Sequence, residues 1–246
     1  MRWARHFAAI CVCGLFAACS DPQADGDDTN GAGVHLETIR PGDFALRGCG
    51  GIDDGPPCAI VHAGGKVLVF GAPEGVASAL GTVGAPVPDA VFLFSHRGED
   101  IEGLMRLRNR TWHAGRKTPL GLVGPEGTVE LARALESVLS RSDAIRWTEA
   151  PPAGGFDIAP LLARELPPGR SAKVFDSGDL QVSAASAGAS DLSYAIAYGG
   201  RTLRLSPCRA GVRAPDGAAD RHVGCPEAGG DLSWPLPAAA IVLNRD

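Results

Sequence analysis

Positive charge is scarce in this sequence, and the short signatures of several enzyme classes are missing. Lys+Arg number 23 against 28 Asp+Glu, giving a formal net charge of −5. Phosphate affinity comes mainly from Lys and Arg, so an acidic chain is a poor candidate for a nucleic-acid partner. GxGxxG, the P-loop, HExxH and GxSxG do not occur. Nucleotide-binding, zincin and serine-hydrolase readings therefore have no footing. No internal repeat is present. At 45% hydrophobic and 21% charged residues, the 246-residue chain suits one globular domain with a sizeable core, with nothing disordered beyond a short tether.

The first residues read as an address. Arg2 and Arg5 make a positive start, Phe7 to Ala18 supply a short apolar run, and LFAAC ends at Cys19. The run falls short of the ~20 apolar residues of a membrane-spanning helix. The segment resembles a bacterial lipobox, which implies residues 1–18 as a signal peptide and Cys19 as the lipidated residue. Ser20 rather than Asp follows, which in such signals implies an outer-membrane lipoprotein facing the periplasm, with a soluble periplasmic protein as the alternative. Residues 19–33 then form the lipidated Cys and an acidic tether too polar to bury, and 34–246 the folded domain. Losing Arg2 and Arg5 leaves 21 basic against 28 acidic residues, or −7.

Seven cysteines fit an exported protein. Cys11 and Cys13 leave with the leader and Cys19 takes the lipid, so Cys49, Cys58, Cys208 and Cys225 remain. Four thiols in an oxidising compartment most simply form two disulfides. Three pairings exist in principle, and the short loops favour Cys49 with Cys58 and Cys208 with Cys225.

Val67 to Phe70, Val91 to Phe94 and Leu120 to Val123 are apolar runs bounded by Gly or Pro, as in strands covered on both faces. Val129, Ala132, Leu135, Val138 and Leu139 recur at helical spacing, with Pro125 in a first turn and Glu126 and Glu130 near the positive end of the dipole. From Leu180 the texture is antiparallel: Tyr194, Ile196 and Tyr198 alternate, and Gly199-Gly200 supplies a tight hairpin. Gly154-Gly155 and Pro167-Pro168-Gly169 mark loops. This pattern alone gives an α/β class.

Specific stretches say more. VFLFSHRGEDIEGL (Val91 to Leu104) resembles the [TS]HxHxDHxxGL segment of the metallo-β-lactamase superfamily, in its ribonuclease Z and arylsulfatase-like branch. CAIVHAGGKVLVFGAPEGVASAL (Cys58 to Leu80) is similar to the family's strands, "LLFDAG" turn and helix, and PLGLVGPEGTVELARAL (Pro119 to Leu135) to its "PLxVYGPxGT" strand and helix. FDSGDLQVSAASAGASDLSYAIAYGGRTLRLSPC (Phe175 to Cys208) is similar to the segment ending in the family's "GGRxxVxSGDT". The resemblance implies an αββα sandwich. It also shows departures: His96 and Asp100 match family ligands, but Gly98 stands where the second His belongs and the third is deleted. Gly71 replaces an Asp, the later His falls at Ala187 or Gly188, Cys208 takes the bridging Asp position, and Arg245 lies near the last His.

A catalytic zinc needs about three protein ligands and an open position for water, and a two-metal site roughly twice as many. His96, Asp100 and Cys208, with His222 as an extra donor, would compose a single-zinc site. The competing fates are a disulfide for Cys208, a hydrogen-bonded remnant for His96 and a helix cap for Asp100. Ser95 beside His96 is no catalytic dyad, since adjacent strand residues face opposite ways. Glu99 reads as solvated loop, or as a substitute ligand. Arg106, Arg108, Arg110, Arg116 and Lys117 read as a solvated helix face or a basic rim for an anion, and His62, Trp112 and His113 as packing or surface. Two functional readings follow. One is a non-catalytic or ligand-binding lipoprotein without cofactor, its ligand unnamed. The other is a divergent hydrolase using one zinc on a phosphodiester, sulfate ester or lactone.

Overall fold

Two glycine pairs set the hairpins from which the sheets grow. Gly64 and Gly65 have φ of 56° and 69°, Gly199 and Gly200 of 56° and 72°, the positive angles a two-residue turn demands. The computed structural model describes residues 39–49, 55–81, 87–209, 212, 217–225 and 230–244. The leader, Cys19, the tether and Arg245 lie outside the described residues. All described residues belong to one unit, His35–Asp246.

In chain order the elements are β1 (Phe44–Gly48), β2 (Ala59–Ala63), β3 (Lys66–Phe70), α1 (Val76–Ala79), β4 (Ala90–Phe92), α2 (Gly98–Ile101), α3 (Leu104–His113), β5 (Leu120–Pro125), α4 (Thr128–Glu149), a 3₁₀ turn (Phe156–Ile158), β6 (Leu161–Leu166), β7 (Ser171–Asp176), β8 (Gln181–Ser186), β9 (Leu192–Tyr198), β10 (Arg201–Leu205), β11 (Arg221–Gly224), β12 (Leu232–Ser233) and β13 (Ile241–Asn244). They form a seven-stranded sheet, β13-β1-β2-β3-β4-β5-β6, and a six-stranded sheet, β12-β11-β10-β9-β8-β7. β3 to β6 pair in parallel and are joined by helical crossovers, as parallel pairing requires.

Alternation along the strands feeds two cores. One face of the first sheet, with Phe44, Val61, Phe70 and Phe92, packs on Val182, Tyr194, Ile196 and Leu203 of the second. The opposite face, with Ile60, Val69, Val91 and Leu122, packs on α1, α3 and α4 through Val76, Leu104, Leu107 and Ala132. The first sheet is covered on both sides, as its unbroken apolar runs predict. Aromatic rings seal the gap between sheets: Phe70 stacks on Phe92 at 4.7 Å, and Tyr194 meets both edge-on at 5.3 and 5.5 Å. Among the described residues no α-helix follows β6. The α/β sandwich is thus present, with its described helices on the first sheet.

Three local expectations change. Leu93 and Phe94 stay buried but leave the β4 ladder: Leu93 N–H still bonds to Val123, while the Phe94 carbonyl accepts from Leu192 of the second sheet. Pro125 ends β5 instead of opening α4. The helix begins after Gly127, whose φ of 94° suits only glycine, and Glu165 of β6 accepts from the Gly127 and Val129 N–H groups. Val138 is 71% exposed, because Ala132 and Leu139 carry the buried stripe. In α3 the buried positions, Leu104, Leu107, Arg108, Thr111 and Trp112, follow helical spacing, and one of them is an arginine.

Candidate functional site

β1, β3, β4 and β5 run in one direction, so the loops after them share one end of the first sheet. The loop after β4 carries Ser95, His96 and Arg97 and leads into α2. Ser95 and His96 do face apart. The Ser95 hydroxyl donates to Asp100 across the loop, while the His96 ring turns toward α4.

Asp100 does not cap α2, whose N-cap is Arg97 without a side-chain bond. Only 1% of its side chain is exposed, and both carboxylate oxygens are engaged by the guanidinium of Arg209, one also by Ser95. The same guanidinium bonds to Asp191 at 2.8 Å, and Arg97 reaches Asp191 from the solvent side at 2.7 Å. Two arginines and two aspartates thus form a chain of no net charge. Asp191 in turn holds the Arg97 pKa above its ordinary value, chiefly through that hydrogen bond. A planar guanidinium matches carboxylates with paired N–H groups, and such charged bonds are among the strong ones.

His96 Nε2 lies 2.8 Å from Thr128 Oγ1. The Thr128 hydroxyl donates its only proton to the Pro125 carbonyl at 2.6 Å, so it receives Nε2–H and leaves the lone pair on Nδ1. Burial lowers the His96 pKa, against an opposing pull from Glu165, and favours the neutral ring. The ring packs over Gly127: a Cβ there would sit 3.5 Å from its Cε1.

Cys208 is bonded to Cys225, and Cys49 to Cys58. A disulfide sulfur offers no thiolate to a metal. His222 Nε2 faces the Ser206 hydroxyl at 3.1 Å, and burial followed by Arg204 lowers its pKa. Gly71 stands where an Asp would serve the resemblance. Its φ is 79°, and a Cβ would lie 2.2 Å from the Pro57 carbonyl oxygen, so the backbone path excludes a side chain there. A Cβ at Gly188, which with Ala187 is where the later His falls, would meet Asp191 at 3.5 Å, an ordinary contact. Glu99 is exposed.

These donors do not suit zinc. His96, Asp100 and Cys208 are committed to Thr128, to Arg209 and Ser95, and to Cys225. Among the described residues no three of His, Cys, Asp and Glu stand close enough to hold a metal ion.

The basic run is not the solvated helix face expected of it, since two of its five cations are buried. Arg108 is 1% exposed and clamps Glu136 at 2.6 Å and Asp143 at 2.7 Å between α3 and α4. Arg116 is also buried and ties to the carbonyls of Ile158 and Ala159, its pKa lowered to about 10, first by burial. Both are struts, and only Arg106 and Lys117 of the five remain exposed. Trp112 is core, with its Nε1–H on the Gly155 carbonyl at 2.9 Å. Arg209, Asp191, Arg97 and Thr128 were not singled out by sequence reasoning. The one available signal was Arg209, a cation placed directly after the position of a bridging carboxylate.

No protein-family model matches the chain, and no curated protein matches it. Among solved structures it is similar to human tRNase Z, short form, at 17% identity and a TM-score of 0.53, over 73% of this chain and 77% of that one. It is also similar to YhfI from Bacillus subtilis, a metallo-β-lactamase fold protein, at 13% identity and 0.46, over 67% and 63%. A third is zinc-bound PqqB from Methylobacterium extorquens, at 13% identity and 0.46, over 74% and 72%. Two sheets in this order, together with the tRNase Z likeness, assign the chain the metallo-β-lactamase fold.

Proposed function

We propose that the chain is an exported, lipid-anchored binding protein of metallo-β-lactamase fold whose metal site has been replaced by an arginine–carboxylate network. One observation carries this reading. Arg209 occupies both oxygens of Asp100, the carboxylate that the resemblance assigns to a metal, and links it to Asp191. A guanidinium supplies positive charge but neither a Lewis-acidic centre nor a bound water of lowered pKa. The two-metal hydrolysis of the superfamily then has no seat, and a single-zinc hydrolase would have to break the Arg209 and Cys225 bonds first. The signal segment and Cys19 support export and anchoring in the bacterial envelope. The acidic surface supports a partner other than nucleic acid.

The test pairs chemistry with placement. Purified domain is assayed on phosphodiester, sulfate-ester and lactone substrates with and without added zinc, and labelled palmitate incorporation is compared for the full chain and Cys19→Ala. The reading expects no zinc-dependent turnover, and label that disappears with Cys19. Turnover that needs zinc and is lost in Asp100→Ala would overturn the binding role, and palmitate-free membrane release would overturn the anchor.

A further inference from the structure

At the same end of the first sheet as the arginine–carboxylate network lies a concavity of about 870 Å³. Small-molecule sites commonly span roughly 300 to 1,000 Å³. Its walls are Pro56, Pro73, Leu236, Pro237 and the Cys49–Cys58 disulfide.

Three constraints hold those walls in place. The disulfide joins the end of β1 to the start of β2. Gly48 N–H donates to the Pro237 carbonyl at 2.7 Å, and a Cβ on Gly48 would lie 2.1 Å from the Leu236 carbonyl oxygen. Gly103 donates to Ala72 at 2.9 Å, and a Cβ there would lie 2.0 Å from the Pro73 carbonyl oxygen. Both proline walls are therefore seated on backbone that admits no side chain between them. A cavity built this way needs little ordering when it binds.

Its charges are uneven. Glu74, Glu102 and Arg106 stand on the rim, exposed, and no ion pair or side-chain hydrogen bond engages them among the described residues. Among the described lining residues, two carboxylates against one guanidinium leave a formal charge of −1 over an apolar floor. We propose that this concavity binds an apolar organic cation, an aliphatic or ring-bearing ammonium compound. Its body lies on the proline and disulfide wall, and its head meets Glu74 and Glu102. This deepens the binding role proposed above and rests on it.

The test titrates the mature domain with n-octylammonium, n-octanol and n-octyl sulfate below their aggregation limits, followed by amide NMR shifts. Saturable n-octylammonium shifts are expected at Gly55, Gly75, Ser78 and Leu236, with binding strongest for the ammonium and weakest for the sulfate. The Glu74→Gln/Glu102→Gln double variant should bind n-octylammonium about tenfold more weakly and n-octanol unchanged. Arg106→Gln should tighten n-octylammonium. Absence of saturable shifts at those amides, a preference for the sulfate, or an unaffected double variant would each overturn the site. Zinc uptake or hydrolysis in the separate assay would unseat the parent proposal without altering these shifts, so the two failures are distinguishable.

Discussion

Replacing Arg209 with alanine removes the cation that Asp100 and Asp191 share. Asp100 is 1% exposed and would keep only the Ser95 hydroxyl, whereas Asp191, at 8%, would keep Arg97. Removing one partner of a buried pair costs about 3 to 5 kcal/mol because the other charge is left uncompensated. Arg209 is itself 16% exposed and Asp191 retains a partner, so the low end applies, about 3 kcal/mol. For a domain of this size that is a fall in Tm of roughly 6 to 12 °C. Urea and thermal denaturation of wild type, Arg209→Ala, Asp100→Asn and the double variant give the coupling directly. The double variant should recover part of the loss, since the neutral amide removes the stranded charge. A loss under about 0.5 kcal/mol for Arg209→Ala, or no relief from Asp100→Asn, would refute the reasoning.

Three further outcomes follow from individual contacts. Reducing both disulfides should destabilise the domain, by about 2.5 kcal/mol for Cys49–Cys58 and about 3 for Cys208–Cys225 in the chain-entropy estimate; thiol titration of unreduced, denatured protein should find neither pair free. Tyr194→Phe should cost about 1 to 2 kcal/mol in denaturant melts, because the fully buried hydroxyl donates to the Leu93 carbonyl at 2.6 Å. His62, held to a pKa of about 4 by burial and then by Arg47, binds its proton near 6.5 only when unfolded. Its contribution is therefore complete above pH 6.5 and is lost as pH falls toward about 4. His62→Leu should flatten the stability profile across that window, and an unchanged slope would count against the half-buried neutral ring.

What could be read from the sequence was local or patterned. The glycine pairs at Gly64 and Gly199, the apolar runs of β3 and β5, and the existence of α4, though not its full buried stripe, lie within a few residues of their own causes. What could not be read depends on distant partners. Asp100 and Arg209 are 109 residues apart, so nothing near Asp100 announces that its role as a helix cap is taken by an ion pair. Pro125 looks like the first turn of a helix, yet Glu165, on a neighbouring strand, caps the start two residues later. Arg108 and Arg116 look like a solvated charge run until Glu136, Asp143 and the Ile158 carbonyl close over them. At the candidate site the changed ligand positions were visible through resemblance, whereas the guanidinium bonded to Asp100 was not.

On the proposed reading, Arg209 supplies the positive charge at Asp100, the position that the family resemblance assigns to a metal ligand. Elemental analysis of the mature domain, purified without chelator and dialysed against micromolar zinc, measures this most directly. Zinc well below one ion per chain is the predicted result. One or two ions per chain, lost on Asp100→Ala, would contradict it.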